Sequence, residues 1–298
     1  MPIENLSIPS GALRLAARLY RPDSPGQNSP LIVMAHGLGA EMNFGLPKIA
    51  QCFNREGWTV LMFDYRHWGE SPGLPRELLV PKLQLEDWES ALVFAQSLSG
   101  IDRKKIALWG TSFSGGHVLV TASRHPELAA VVAQVPFTDG PASALTYSPL
   151  FLLKAGFHAA WDLAVSSLNG KPHYLPLVGS PQELAVMNKA DSREYYNFIP
   201  EGSQWENRAA ARIAFLIPLY RPVAAVSRIK IPALIVYGEK DTLIPAKAVE
   251  KTIQKLPCCR ALKLPMGHFE IYTDFFEPVM EAETAFFKEI FFQNPSQS

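Results

Sequence analysis

Two serines in the stretch KKIALWGTSFSGGHVLV, residues 104–120, occupy positions where a nucleophile could act, because the stretch nearly matches the pattern G-x-S-x-G. An apolar run that ends in Gly110 and passes through a tight turn into a helix is typical of a nucleophile elbow. The turn holds its serine in a strained backbone conformation at the edge of a sheet. Its apex falls on Ser112, and Ser114 is small enough to replace the second glycine. We therefore favour Ser112 over Ser114, with helix capping by both serines as the alternative.

A serine hydroxyl becomes a nucleophile when an imidazole accepts its proton, and a carboxylate must orient that imidazole. Of the seven histidines, His268 follows the last predicted strand and precedes the last helix, so we expect it at the same sheet edge as Ser112. Asp241, after the preceding strand, gives the order serine, acid, histidine. Asp139, which follows an earlier strand, and Glu239 stay open as alternatives for the acid.

An acyl-transfer reaction also needs hydrogen-bond donors for the oxyanion of its intermediate. The backbone N–H of Phe113, directly after the predicted nucleophile, is one candidate. The stretch AHGLGAE supplies the second, because its glycines permit a close turn of the backbone. We choose the N–H of Leu38 as the second donor, with that of Gly39 as the alternative.

Aromatic residues near these positions are candidates for substrate contacts. Trp68 lies in FDYRHWGESPG, a stretch whose strand is predicted to end at the same edge of the sheet. Phe137, Tyr147 and Trp161 belong to a later aromatic-rich region with few charges. Such a region can exclude water and hold an apolar chain. The alternative is that these rings only pack the region onto the sheet.

Apolar runs and amphipathic segments alternate along the chain, which is typical of a parallel sheet with helices on both faces. The alternation stops near Phe137 and resumes near residue 230. Helical patterns at 150–168 and 206–220 predict an inserted helical layer between these points. We therefore expect a core of residues 1–136 and 230–298 and a lid of residues 137–229, with a frayed tail at 293–298.

Composition excludes several classes of partner. Lys plus Arg and Asp plus Glu number 28 each, so the charge balance attracts neither a nucleic acid nor an anionic membrane surface. No run of about 18 apolar residues predicts a membrane span, and we expect a soluble, cytoplasmic protein. The three cysteines are too few and too poorly spaced for a disulfide framework, and no zinc-binding spacing occurs. We expect no metal and no cofactor.

Taken together, these motifs resemble those of the α/β-hydrolase superfamily over nearly the whole chain. The resemblance rests on HGLG at 36–39, FDYRHWGES at 63–71, GTSFSGG at 110–116, YGEKD at 237–241 and GH at 267–268. It implies an α/β fold with a mostly parallel eight-stranded sheet, helices on both faces and a helical lid. WGTSFSGGHVL is similar to an esterase-like and dipeptidyl-peptidase-like branch that includes fungal polyketide transferases and thioester hydrolases.

The expected function is that of a serine hydrolase acting on an ester or thioester of a hydrophobic small molecule. An acyltransferase uses the same acyl-enzyme with an alcohol or amine in place of water. Cleavage or closure of a C–C bond uses the same triad as a base. A ligand-binding module without catalysis is a fourth reading, because a fold alone does not establish function. The sequence leaves a homodimer open.

Overall fold

The computed structural model describes residues 3–23 and 28–292, and the predicted tail at 293–298 lies outside them. The first part of the chain forms β1 (Ile3–Ser10), β2 (Leu13–Tyr20), β3 (Ser29–Ala35), α1 (Leu46–Arg55), β4 (Thr59–Phe63), α2 (Pro81–Ser97), β5 (Ile101–Thr111), α3 (Phe113–Ala122) and β6 (Ala130–Gln134). Next come α4 (Gly140–Ala144), α5 (Pro149–Asn169), β7 (Tyr174–Leu175), β8 (Ala209–Ala210) and α6 (Ile213–Leu219). The last part forms β9 (Ala233–Gly238), α7 (Ala246–Ile253), β10 (Cys259–Leu264) and α8 (Phe276–Phe292).

Eight strands form one sheet in the order β1-β2-β4-β3-β5-β6-β9-β10. Strand β2 runs antiparallel to both of its neighbours, and the other pairs are parallel. Every residue of β3, β4, β6 and β9 is buried. Continuous apolar runs fit this environment, because helices cover both faces of the sheet. The predicted fold class is confirmed.

Aromatic side chains fill the core on both faces of the sheet. On one face the Phe63 ring meets Trp88 of α2 edge to face, with ring centroids 5.2 Å apart. On the other face Trp58 packs against Phe287 and Phe291 of α8. Within residues 3–23 and 28–292, no helix is both long enough and apolar enough to cross a bilayer.

In the segment between β6 and β9, α5 confirms the helix predicted over 150–168, but the second predicted helix differs. A helix predicted over 206–220 is only α6, preceded by β8, which pairs with β7 in a small antiparallel sheet. Residues Ala209–Ala210 are extended in β8, and Asp162 of α5 accepts hydrogen bonds from the backbone N–H and the guanidinium of Arg212, just before α6. Pro218 then lies within its last turn. The apolar runs in the sequence do not predict strand β1, because polar residues interrupt this edge strand.

Candidate active site

Strand β5 and helix α3 meet at Ser112, the single residue between them. Ser112 has φ 56° and ψ −118°, a conformation that is strained for any residue with a side chain. Gly110 makes the turn possible, since a Cβ atom there would lie 2.4 Å from the carbonyl oxygen of Ser114. The backbone N–H of Ser112 donates to the carbonyl of Gln134, and its carbonyl accepts from Phe137. These bonds fix the turn against the end of β6.

Ser114 lies in the first turn of α3 and is fully buried. Its hydroxyl is 2.8 Å from the Tyr65 hydroxyl, which accepts a hydrogen bond from the Trp88 indole N–H at 2.7 Å. The side chain therefore points into the core between α2 and α3. Of the two candidate serines, the structure brings Ser112 to the surface of a pocket.

Ser112, His268 and Asp241 form a continuous chain of hydrogen bonds. The His268 Nε2 atom is 3.0 Å from Ser112 Oγ, and its Nδ1 atom is 2.7 Å from Asp241 Oδ2. The other carboxylate oxygen of Asp241 accepts hydrogen bonds from the backbone N–H groups of Leu243 and Ile244, both at 2.8 Å. Both carboxylate oxygens are thus held, and the imidazole is oriented between an acid and a hydroxyl.

The two alternative acids lie in other interactions. Asp139 precedes α4 and pairs with Arg221 at 2.9 Å. Glu239 pairs with Lys263 at 3.2 Å. Neither pairing directs a carboxylate oxygen to His268.

The loop after β3 passes directly beside Ser112. A Cβ atom on Gly37 would lie 3.0 Å from the Cβ of Ser112, so only glycine allows this approach without a shift. Leu38 and Phe113 both line the pocket next to Ser112. Within the described part of the chain, neither of their N–H groups has a hydrogen-bond acceptor. Both are therefore available to donate to a negatively charged oxygen.

Asp191 is a site residue that the sequence did not reveal. It lies in the 3₁₀ helix Ala190–Phe198, within the inserted segment. Its Oδ2 atom accepts from the backbone N–H of His268 and from that of Thr242, each at 3.2 Å. A Cβ atom on Gly267 would lie 3.2 Å from the same oxygen. The carboxylate thus joins the lid to the loops that carry Asp241 and His268. No strand-end position marks Asp191, so only the folded chain identifies it.

A pocket of about 890 Å³, including its open mouth, begins at Ser112 and His268 and extends beneath the lid. Two of the predicted substrate contacts, Phe137 and Tyr147, line it. The Tyr147 ring stacks on Phe151 of α5, with centroids 4.6 Å apart. The remaining lining is mostly aliphatic and includes Leu152, Ala155, Leu175, Leu184, Val186, Met187, Ile217, Leu243 and Ile244.

The strained serine turn, the strand-end acid and the histidine all lie within residues 30–274, which match the family profile of the alpha/beta hydrolase fold. The chain is an α/β hydrolase.

Known proteins resemble this α/β hydrolase, two of them over nearly its whole length and one over less than half of it. It is 40% identical over 288 residues to the quorum-quenching protein AidA of Acinetobacter baumannii, covering 96% of this chain and 94% of that protein. It is 36% identical over 127 residues to the thiohydrolase aneE of Aspergillus aculeatus, covering 43% of this chain and 39% of that protein. The crystal structure of the α/β hydrolase GrgF from Penicillium aligns with TM-score 0.84 and 25% identity, covering 97% of this chain and 99% of that one. The polyketide transferase grgF of Penicillium is 28% identical over 241 residues, covering 80% of this chain and 78% of that protein. The resemblance to polyketide transferases and thiohydrolases is confirmed.

The structure does not bring the other two predicted contacts of the α/β hydrolase to the pocket. Trp68 is buried in the core, and its indole N–H donates to the carbonyl of Leu78 at 3.0 Å. Trp161 lies on α5 with 53% of its surface exposed. Helix α5 presents Phe151 and Ala155 to the pocket. Trp161 faces solvent because its position falls on the opposite side of the helix.

A second, smaller compartment of about 460 Å³ is lined by the same serine and histidine. Leu38 and Met187 border both compartments. Aromatic side chains dominate the rest of the lining, namely Phe44, Tyr195, Phe198, Phe269 and Tyr272. Ser112 and His268 of this α/β hydrolase therefore border both an aliphatic compartment and an aromatic one.

Two other buried histidines of the α/β hydrolase, His36 and His117, contact residues of the core. Burial lowers the pKa of His117 to about 3, and its nitrogens are 2.6 Å from the Tyr220 hydroxyl and 2.9 Å from Gln84 Oε1. Burial lowers the pKa of His36 to about 4, and its Nε2 lies 3.5 Å from the buried Asp64. Burial also raises the pKa of Asp64 to about 7. These histidines are neutral at physiological pH and make no hydrogen bond to Ser112.

Proposed function

We propose that this α/β hydrolase is a serine hydrolase that cleaves an ester or thioester of a hydrophobic small molecule through an acyl-enzyme on Ser112. The observation that carries the proposal is the hydrogen-bond chain from Asp241 through His268 to Ser112, which opens onto an apolar pocket. A strained serine, an oriented imidazole and free backbone donors are the elements that acyl transfer requires.

The proposed reaction begins when His268 Nε2 accepts the hydroxyl proton of Ser112 as its oxygen attacks the carbonyl carbon. Asp241 holds the Nδ1 proton and stabilises the imidazolium that forms. The imidazolium then donates its proton to the departing alcohol or thiol as the carbonyl–leaving-group bond breaks. A water molecule attacks the acyl-enzyme with His268 again as base, and the acid leaves as the Ser112 hydroxyl is restored.

The oxyanion of each tetrahedral intermediate would accept hydrogen bonds from the N–H groups of Leu38 and Phe113. Removal of one such donor typically costs about 2.7–4 kcal/mol of transition-state stabilisation. Gly37 supports this role, because the absence of its Cβ atom lets the loop approach Ser112. Backbone geometry would thus contribute to the rate on the same scale as a side chain.

The chemistry of the larger compartment supports a neutral, apolar acyl group. Among the described residues that line it, none is Asp, Glu, Lys or Arg. A charged group buried there would lose its hydration without gaining a partner. A relative named a thiohydrolase supports a hydrolytic reaction of this kind.

Acyl transfer is the second candidate, and the aromatic compartment favours it. That compartment could hold an acceptor alcohol or amine beside the acyl-enzyme, while the aliphatic compartment retains the acyl chain. A relative named a polyketide transferase supports this second candidate. Water and a bound acceptor would then compete for the same intermediate.

We also propose the cytoplasm as the working compartment. Cys52, Cys258 and Cys259 are free thiols in the structure. Reduced thiols are usual where glutathione and thioredoxin act.

A fluorophosphonate probe tests the proposed nucleophile, because it reacts with serines that a neighbouring base has activated. We expect one adduct, mapped by mass spectrometry to the peptide that contains Ser112. The variants Ser112→Ala and His268→Ala should lose it, and Ser114→Ala should keep it. A folded protein that takes no adduct, or takes it on Ser114, would refute the proposed acyl-enzyme.

Product analysis separates hydrolysis from transfer. Enzyme that reacts with the fluorophosphonate probe would be given a medium-chain acyl thioester, alone and with a small aromatic alcohol. A serine hydrolase yields the free acid in both reactions. A transferase yields the new ester at the expense of the acid as the alcohol concentration rises.

A further inference from the structure

The outer face of helix α5 carries a continuous apolar stripe. Leu150, Leu153, Phe157, Trp161 and Leu168 are 60%, 72%, 68%, 53% and 87% exposed, respectively. They recur every three or four residues apart from a gap that Ala164 fills, so all lie on one side of the helix. Single exposed apolar residues are ordinary, but a row of this length is not.

The stripe is large enough for a protein interface. A helix of 21 residues such as α5 extends over about 30 Å. Phe215 of α6, which is 40% exposed, lies beside α5 and extends the stripe. A Cβ atom on Gly156 of α5 would lie 3.5 Å from its ring. The exposed parts of these side chains sum to on the order of 700 Å², close to the roughly 800 Å² that each partner buries in a standard interface.

Charge decides what kind of partner fits. Lys154 is the only exposed charged residue on α5. Asp162, the other charged residue of the helix, is fully buried and binds the Arg212 guanidinium at 2.7 Å. Interfacial helices that bind membranes are rich in Lys and Arg, whereas α5 contains one Lys and no Arg. The chain as a whole has a formal net charge of zero, so two copies do not repel each other strongly.

We propose that the α5 stripe is the contact face of a homodimer, in which a second copy of this chain covers it. A two-fold axis brings the same patch of both copies together, and an uncharged, apolar stripe is complementary to itself. Phe157 and Trp161, near the middle of the stripe, are the aromatic anchors of the contact.

Dimerisation of this kind also holds the lid in place. The inner face of α5 carries Phe151 and Ala155 into the larger compartment. A partner helix packed on the outer face would restrain α5 from moving away from the sheet. The contact itself does not depend on the proposed catalytic reaction.

Sedimentation velocity over a hundredfold range of protein concentration tests the proposal. We expect a dimer for the unaltered chain and a monomer for Phe157→Glu, with a dissociation constant raised at least about 30-fold because a central anchor is lost and a charge is buried. The matched control is Val93→Glu on α2, an equally exposed position, at 70%, outside the stripe. Val93→Glu should remain dimeric.

Circular dichroism and fluorophosphonate labelling show that each variant is folded. Trp161→Glu provides a second, independent disruption. A monomer at every concentration of the unaltered chain overturns the proposal, as does a dimer that persists in both α5 variants. A monomer that binds phosphatidylcholine vesicles, and loses that binding in Phe157→Glu, would also overturn it and assign the stripe to a lipid surface.

Discussion

Ser112 and Ser114 differ by two positions in the chain and have opposite environments. Ser112 stands at a strained apex that opens onto a pocket, whereas Ser114 is fully buried and bound to Tyr65. The same short turn thus contains one exposed hydroxyl and one that belongs to the core. Their residue type is identical, so the difference arises from backbone direction alone.

Substitution of the buried serine should affect stability and leave labelling intact. Ser114→Ala removes one hydrogen-bond partner of the Tyr65 hydroxyl and should lower the free energy of unfolding by about 1–2 kcal/mol. Urea denaturation measures this change, and fluorophosphonate labelling of Ser112 should persist.

Thr121→Val is the control for this substitution. Thr121 is buried on the same helix α3, and within the described residues its hydroxyl has no hydrogen-bond partner. Its replacement should leave stability unchanged or raise it. If Ser114→Ala instead abolished labelling with unchanged stability, Ser114 would have to take part in the chemistry.

At the scale of the elements, the lid contributes to the orientation of the proposed triad. Asp191, in the 3₁₀ helix Ala190–Phe198, accepts from the backbone N–H groups of Thr242 and His268. The loops after β9 and β10 are therefore tied to each other through a residue of the inserted segment. A lid that moved would take this carboxylate with it.

Asp191→Ala should lower kcat about tenfold with little change in KM, because the imidazole loses alignment while the pocket stays intact; a tenfold loss corresponds to about 1.4 kcal/mol. Asp191→Asn keeps an acceptor oxygen and should lose less. Steady-state kinetics with a model ester measures both parameters.

Glu194→Gln on the same 3₁₀ helix is the control, because Glu194 is exposed and its replacement removes a nearby charge without removing a hydrogen bond. Its kinetics should match those of the unaltered chain. Equal losses in Asp191→Ala and Glu194→Gln would mean that charge matters rather than the two hydrogen bonds.

At the scale of the whole molecule, a buried acid joins the last helix to the strand that leads to Ser112. Glu283 of α8 accepts the indole N–H of Trp109 of β5 at 2.8 Å. Within the part of the chain that the structure describes, its other carboxyl oxygen has no partner. Burial raises the pKa of Glu283 to about 8, so the folded protein holds a neutral carboxylic acid at physiological pH.

This acid makes the stability of the protein depend on pH. Between pH 4.5, the ordinary pKa of a glutamic acid side chain, and about pH 8, the folded state keeps a proton that the unfolded state has lost. The free energy of unfolding therefore decreases as pH rises through this interval. Glu283→Gln removes the titration and should be more stable than the unaltered chain at about pH 9, by at least about 1 kcal/mol, with a smaller gain at about pH 5.

Urea denaturation at both pH values measures the effect. Glu281→Gln, an exposed position on the same helix, should leave the pH profile unchanged. A stability profile that stays parallel to that of the unaltered chain after Glu283→Gln would show that Glu283 is ionised in the folded state.

Local sequence pattern determined the order of strands and helices in the core from β2 onward and the position of the serine turn. Apolar runs that end in Gly110 or Gly238 mark strands whose carboxyl ends share one edge, because parallel strands all end there. Ser112, Asp241 and His268 could therefore be selected as neighbours before the fold was known.

Tertiary structure alone decided which side chains face the pocket and how the lid meets the core. Trp68 and Trp161 have the residue type of substrate contacts, but one is enclosed by the core and the other lies on the solvent side of α5. Asp191 joins the site from a segment distant along the chain. Residue type and spacing carry no record of helix rotation or long-range contact, because both result from packing against elements far away in sequence.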